Sequence, residues 1–120
     1  MKKFLNILEW IFRIGIAVIF IQSLYFKFTS DPQSVELFSK LGVEPWGRYG
    51  TGVIELISSV LLFIPKRVWI GAGLALGTMM GAIFSHLTVL GIHYPDGVLF
   101  WLAVAVVIMS AFVLWKRKLA

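Results

Sequence analysis

Cysteine is absent from the chain, and histidine occurs only at positions 86 and 93. Without cysteine the chain can form no disulfide, no thiol relay and no thiolate metal site. One of the two histidines, His93, falls in a predicted loop, so the pair does not suit a haem or a metal centre built from one chain. We therefore expect no metal and no cofactor held by motifs of the chain itself.

Charge is scarce as well. Charged residues make up 14% of the chain, against about 25% in soluble proteins. Hydrophobic residues reach 59%, which is more apolar surface than a small domain can bury in water. The net charge of +5 comes from basic residues at the ends of apolar segments, a sign of membrane topology rather than of nucleic-acid binding. These features predict an integral membrane protein with the lipid bilayer as its first partner. We expect its location to be a bacterial inner membrane.

The chain contains four apolar segments, which cover residues 7–26, 49–64, 68–90 and 98–115. A helix that crosses a bilayer needs about 20 residues, so the second segment must stand steeply or thin the bilayer locally. The first segment is too long for a signal peptide, and we expect it to remain as a span. The sequence thus predicts an all-α fold, a polytopic membrane four-helix bundle that forms a single domain over residues 1–120.

The basic residues predict the orientation of this bundle. They precede the first span, fill the link between the second and third spans, and follow the fourth span, at Lys2, Lys3, Lys66, Arg67 and residues 116–118. The positive-inside rule therefore places both termini in the cytoplasm. Tryptophan and tyrosine side chains fall near the predicted span ends, as they do in the aromatic belts of membrane proteins.

The only long connection is the predicted outer loop, residues 29–48. Ser30-Asp31-Pro32 is a typical helix start, and Gly42 is a typical stop. We predict a short surface helix between spans one and two that covers the bundle. An irregular loop is the alternative.

Several polar residues interrupt the predicted spans, although a charged side chain in the middle of a bilayer costs about 2.5–3.5 kcal/mol on the insertion scale. The candidates for an interior ligand-binding site are Arg13, Lys27, Glu55, Ser59 and His86. At about 100° per residue, Glu55 and Ser59 share the small, polar face of the second span. Arg13 is long enough to reach Glu55 and keep it ionised. Lys27 or His86 could instead descend toward Glu55 from nearer the outer edge. Glu9 competes for Arg13, and a buried ion pair can also serve only to fix helix register.

The third predicted span carries small residues at intervals of four, at Gly73, Gly77, Gly81 and Ser85. Such spacing lets helices approach closely in lipid. We interpret this face as a packing surface, either within one chain or between chains of a homo-oligomer.

Four pieces of the sequence resemble the DoxX family of small four-helix membrane proteins. They are RIGIAVIFIQSLYFKF, FSKLGVEP, GTGVIELISSVLLFIP and GLALGTMMGAIFSHL, in that order. The resemblance implies interior polar positions at Arg13, Lys27, Glu55 and His86. It also implies a relation to subunits of membrane redox complexes, such as thiosulfate–quinone oxidoreductase, terminal quinol oxidase and a mycobacterial oxidoreductase assembly. The lack of cysteine departs from related thiol-handling membrane proteins.

Two functions from different classes follow. The chain is either a redox-linked membrane subunit that binds a quinone or another apolar ligand, with electrons supplied by a membrane redox partner, or an accessory protein that stabilises partner subunits without chemistry of its own. Whether it is an enzyme, and which residues would be catalytic, stays open. A small multidrug transporter is disfavoured, because such proteins carry an essential glutamate in the first helix and a weak charge bias.

Overall fold

The structure, a computed structural model, describes residues 2–29, 31–44, 46–90 and 96–119, and in these ranges it is helical without strands. The helices are, in chain order, α1 (Lys2–Phe28), α2 (Pro32–Lys40), α3 (Trp46–Leu61), α4 (Val68–Ser85) and α5 (Asp96–Leu114). A π-helical segment extends α4 over His86–Leu90 and another extends α5 over Trp115–Leu119. Ser30 and His93 lie outside the described residues.

Within the described ranges, three helical stretches are long and apolar enough to cross a membrane, namely Lys2–Phe28, Val68–Thr88 and Phe100–Lys118. The remaining long helix, α3, has 16 residues, which corresponds to about 24 Å at about 1.5 Å per residue. The hydrocarbon core of a bilayer is about 30 Å thick. An all-α fold with apolar, membrane-length helices is thus confirmed, whereas the count of four spans and the cytoplasmic termini stay predictions.

The long helices pack in a ring. α1 and α4 each pack against both α3 and α5. Neighbours run antiparallel, because Lys27 near the end of α1 meets Glu55 in the middle of α3, whereas Arg13 meets Leu62 just beyond the end of α3. We call the end with the start of α1, the turn 62–67 and Trp115–Leu119 the terminal end, and the end with α2 and the start of α3 the α2 end.

α2 is the short helix predicted in the long connection. The backbone N–H of Val35 donates to the carbonyl of Asp31 at its start. Gly42 ends it with φ 77°, a left-handed conformation that favours glycine. Phe38 is buried, and α2 contacts α1, α3 and the segment His86–Leu90. The prediction of a helix that covers this end of the bundle is confirmed.

α3 and α4 approach most closely at Gly71. A Cβ atom at Gly71 would lie 2.8 Å from the backbone nitrogen of Leu62 and 2.9 Å from the carbonyl oxygen of Ser58. The Ser58 hydroxyl donates to the Gly71 carbonyl at 2.7 Å. Only glycine allows this contact, which joins the two helices at the terminal end.

The small-residue face of α4 does not pack as one unit inside the chain. The buried residues of α4 are Val68, Gly71, Ala72, Ala75 and Met79. By contrast, Cβ atoms added at Gly73, Gly77 and Gly81 would meet nothing within 4 Å among the described residues. Packing within one chain, one of the two alternatives for this face, is therefore wrong for these three glycines.

Candidate functional site

The polarity of the described residues is inverted relative to that of a soluble protein. Large apolar side chains are exposed along the outside of the helices, for example Val18, Met80 and Phe84. Charged side chains are buried instead, at Glu9, Arg13, Lys27, Arg48 and Glu55. A large apolar exterior suits contact with lipid, and charges inside membrane helices mark functional or register-fixing sites. The five buried charges form two clusters, one at each end of the bundle.

The cluster at the α2 end is built around Lys27 and Glu55. We call these two residues together with Ser23 the Lys27–Glu55 centre. The Lys27 ammonium lies 2.6 Å from the Glu55 carboxylate and donates to the Ser23 hydroxyl at 2.5 Å. Ser23 in turn donates to the same carboxylate oxygen of Glu55 at 3.4 Å. The Glu55 side chain is 2% exposed and that of Lys27 11%, so the pair is shielded from solvent.

Helical spacing explains how these side chains meet. Ser23 and Lys27 are four residues apart on α1, and therefore lie on one face one turn apart. Glu55 and Ser59 have the same relation on α3, where the Ser59 hydroxyl donates to the Glu55 carbonyl at 2.9 Å. The antiparallel packing of α1 and α3 then brings the two faces together.

Arg48 supports the centre from the end of α1. Its guanidinium donates to the backbone carbonyl of Lys27 and is buried at 3% exposed. It also binds the carboxylate of Glu44, with its Nε 2.9 Å and 3.0 Å from the two oxygens. Arg48 therefore ties the last turn of α1 to α3 and fixes the residue that carries the Lys27 ammonium. The sequence pattern predicts no role in the site for Arg48, the last residue of the predicted outer loop.

Arg13 lies in the other cluster. Its Nε donates to the Leu62 carbonyl at 2.7 Å, its guanidinium carbon stands 3.8 Å from the centre of the Trp10 ring, and its Nη1 is 3.9 Å from Glu9. Fourteen residues of helix separate Arg13 from Lys27, or about 21 Å. Of the two partners left open for Arg13, Glu9 is the one observed, and Glu55 pairs with Lys27 instead.

Glu9 is the carboxylate of this second cluster, which we call the Glu9 cluster: Glu9, Arg13, Lys116 and Arg117. Lys116 lies 3.1 Å from one Glu9 oxygen, and Arg117 donates to the other. Glu9 is 1% exposed. Sequence reasoning took Lys116 and Arg117 as a topology signal and did not pair them with Glu9, since more than 100 residues separate them along the chain.

His86 occupies the junction between α4 and its π-helical segment. The side chain is buried at 3% exposed, and its ring meets that of Phe100 of α5 edge to face, with 5.8 Å between centroids. π-helical turns often occur at functional sites. The structure thus places His86 inside the bundle at the α2 end, on the helix pair opposite α1 and α3.

The Lys27–Glu55 centre has the chemistry of a hydrogen-bonding site in an apolar surround. Lys27 is a donor with three N–H groups, Glu55 is an acceptor when ionised, and Ser23 is both. On α3, Gly52 faces Phe28 and Leu24 of α1 one turn nearer the α2 end. Among the described residues, no group of three or more histidine, aspartate or glutamate side chains is placed to hold a metal ion.

Comparison with known proteins supplies one match. The model of the family described as DoxX matches residues 8–88, which include α1 to α4 almost entirely and both clusters except for Lys116 and Arg117. Comparison with curated proteins and with solved structures gives no match.

Proposed function

Since the chain belongs to the DoxX family and is an integral membrane protein, we propose that it is a redox-linked membrane subunit that binds a quinone, or another apolar ligand with a carbonyl head group, at the Lys27–Glu55 centre. Its electrons would come from a membrane redox partner. The single observation that supports this function is the buried Lys27–Glu55 ion pair, 2.6 Å long, inside an apolar helical bundle.

The Lys27–Glu55 pair provides a hydrogen-bond donor and a proton-exchanging group for the carbonyl head group of a ligand. Lys27 can donate a hydrogen bond to a carbonyl oxygen while Glu55 accepts or releases a proton, which is the division of roles in general acid–base chemistry. Ligand sites of this kind are mostly apolar, with few and well-placed polar groups. Of the predicted site residues, Lys27 and Glu55 belong to this centre. Ser59 lies one turn further along α3 and donates to the Glu55 carbonyl, and His86 is the candidate on α4. Arg13 belongs to the Glu9 cluster and is therefore not part of the proposed quinone site.

The topology that accompanies this function is four spans with both termini in the cytoplasm of a bacterium. The charges support it: the terminal end carries eight basic residues (Lys2, Lys3, Arg13, Lys66, Arg67, Lys116, Arg117 and Lys118) and one acidic residue, Glu9. The rest of the chain has three basic and five acidic residues. This bias follows the positive-inside rule. α3 would then cross as the short span, with the bilayer thinned beside it.

Binding of ubiquinone to the purified protein in detergent tests the proposal. We expect saturable binding to the wild type, and a loss of about tenfold or more in Glu55→Gln, because the neutral amide no longer holds the Lys27 ammonium that donates to the head group. Glu36→Gln is the matched control, since Glu36 undergoes the same chemical change on the exposed surface of α2. Non-saturable binding that is equal in all three proteins would end this proposal.

A second candidate function is that of an accessory protein that stabilises partner subunits. The open face of Gly73, Gly77 and Gly81 on α4 supports it, because small residues at this spacing let a partner's helix approach closely. In this case the ion pair only fixes the register of α1 and α3. The double variant Lys27→Gln with Glu55→Gln would then fold and still stabilise the partner subunits in cells. The quinone proposal instead expects a folded protein that no longer binds quinone.

A further inference from the structure

Among the residues that the structure describes, the Glu9 cluster carries more positive than negative charge. Three cationic side chains, Arg13, Lys116 and Arg117, surround the single carboxylate of Glu9. The cluster therefore has a net charge of +2. Buried or half-buried cations of this kind are normally paired, because unpaired charge is costly where water is excluded.

Arg13 shows the same imbalance at the level of atoms. Its Nη1 is buried and has no hydrogen-bond partner among the described residues, and the Glu9 oxygen lies 3.9 Å away. The Glu9 oxygens instead bind Lys116 and Arg117 at shorter distance. The Glu9 carboxylate thus binds two of the three cations directly and leaves Arg13 Nη1 beyond hydrogen-bond distance.

The cluster is open on one side. The Lys116 side chain is 18% exposed and that of Arg117 34%, whereas Glu9 and Arg13 are buried beneath them. Trp10 stacks on Arg13, and Trp69 lies against Lys118. Tryptophan prefers the depth of lipid head groups in a bilayer. The excess charge therefore lies where the phosphates of membrane lipids are found.

We propose that Lys116 and Arg117, with Arg13 behind them, form a binding site for the phosphate of an anionic lipid at the terminal end. The phosphate supplies the negative charge that Glu9 alone cannot, and its oxygens are acceptors for the guanidinium and ammonium groups. This site is independent of the proposed quinone function, because the Glu9 cluster and the Lys27–Glu55 centre are about 21 Å apart along α1.

Titration of the purified full chain in detergent with dihexanoyl phosphatidylglycerol tests the proposal, with dihexanoyl phosphatidylcholine and inorganic phosphate as parallel titrants. We expect saturable binding of about one phosphatidylglycerol per chain. Binding should be roughly 30-fold weaker in Lys116→Gln/Arg117→Gln, the factor expected for the loss of two cations. Binding of the choline lipid with equal affinity would overturn the proposal. Equal affinity for inorganic phosphate would overturn its lipid part and leave a soluble-anion site.

Lys66→Gln/Arg67→Gln is the matched control. It removes the same charge from the same end of the molecule, but from a turn outside the Glu9 cluster. A specific site predicts less than about a threefold change in this control, since only diffuse attraction is lost. Equal losses in the two double variants would overturn the proposal in favour of general electrostatic attraction.

Glu9→Gln keeps the test valid if loss of both C-terminal cations prevents folding. This variant raises the net charge of the cluster from +2 to +3 and frees Lys116 and Arg117 from their carboxylate. The proposed site predicts unchanged or tighter binding of phosphatidylglycerol in a folded Glu9→Gln protein. Weaker binding would show that the cluster does not receive the phosphate and would overturn the proposal.

Discussion

The two ends of the bundle each bury a glutamate in α1 or α3, yet they neutralise it differently. At the α2 end, Glu55 faces one ammonium, that of Lys27, and the pair has no net charge. At the terminal end, Glu9 faces three cations. A one-to-one pair changes its charge balance when either partner gains or loses a proton or meets a ligand. A carboxylate surrounded by three cations stays ionised, and this arrangement suits a structural joint. Under the proposed function, the α2 end carries the reversible chemistry and the terminal end serves as an anchor.

The largest effect should come from Lys27→Met, which leaves Glu55 buried without its cation. Breaking a buried ion pair from one side costs about 3–5 kcal/mol, so the free energy of unfolding in detergent should fall by that amount. Titration with a denaturing detergent, followed by helical circular dichroism, measures it. Lys27→Met/Glu55→Leu should recover most of the loss, since no unpaired charge remains. A single variant as stable as the wild type would show that Glu55 is neutral in the folded protein.

Glu9→Gln should rank next, with a loss of about 2 kcal/mol in the free energy of unfolding. The loss is smaller than at Lys27 because Lys116 and Arg117 are half-buried and can turn toward water or lipid phosphates. Without anionic lipid, the same variant should release the segment Trp115–Leu119 from α1, and bound phosphatidylglycerol should hold it in place again. Trypsin cleavage after residues 116–118 should therefore become faster, as followed by mass spectrometry. If the cleavage rate does not change, the Glu9 cluster does not hold this segment.

Two glycines, one at each end of the bundle, test how tightly each end is packed. At the terminal end, Gly71→Ala would place a methyl group 2.8 Å from the backbone of Leu62, whereas at the α2 end Gly52→Ala would meet the ring of Phe28 at 2.9 Å. Backbone cannot move aside easily but a side chain can, so we expect Gly71→Ala to cost about 1–3 kcal/mol and Gly52→Ala less. Thermal unfolding of both variants tests the order. Equal losses would mean that the two ends are equally rigid.

Arg117→Gln should give the smallest change, about 0.5 kcal/mol in the free energy of unfolding, because Arg117 is one-third exposed and Lys116 still binds Glu9. Its effect on phosphatidylglycerol binding should be larger than its effect on stability. The two measurements on one protein separate the anchoring role of this arginine from its proposed role in lipid binding. A loss of several kcal/mol would instead place Arg117 among the main supports of the fold.

Local patterns predicted local structure well. The start signal at Asp31-Pro32 and the stop at Gly42 correspond to the observed helix α2, Pro32–Lys40. These signals work because capping and turn geometry depend on neighbours in the sequence. The apolar segments likewise predicted an all-helical membrane protein, and the quoted motifs predicted its family.

The partners of the buried charges could not be predicted in the same way. Arg13 and Glu55 were matched by their distance along ideal helices, but the register between α1 and α3 was unknown. The observed register sets Leu62 opposite Arg13, so Glu55, two helical turns earlier, comes opposite the last turns of α1 and meets Lys27. The pairing of Glu9 with Arg117 depends on the packing of α5 against α1 and leaves no periodic signal in the sequence.

The ring of helices makes the first and last helices of the chain neighbours, since α5 packs against α1. Substitutions that accumulate during evolution should reflect this proximity. If a change at Glu9 impairs the protein, compensating second-site changes should arise preferentially in the distant C-terminal segment, where removal of one cation restores the local balance. Positions more than 100 residues apart in the chain would then change together.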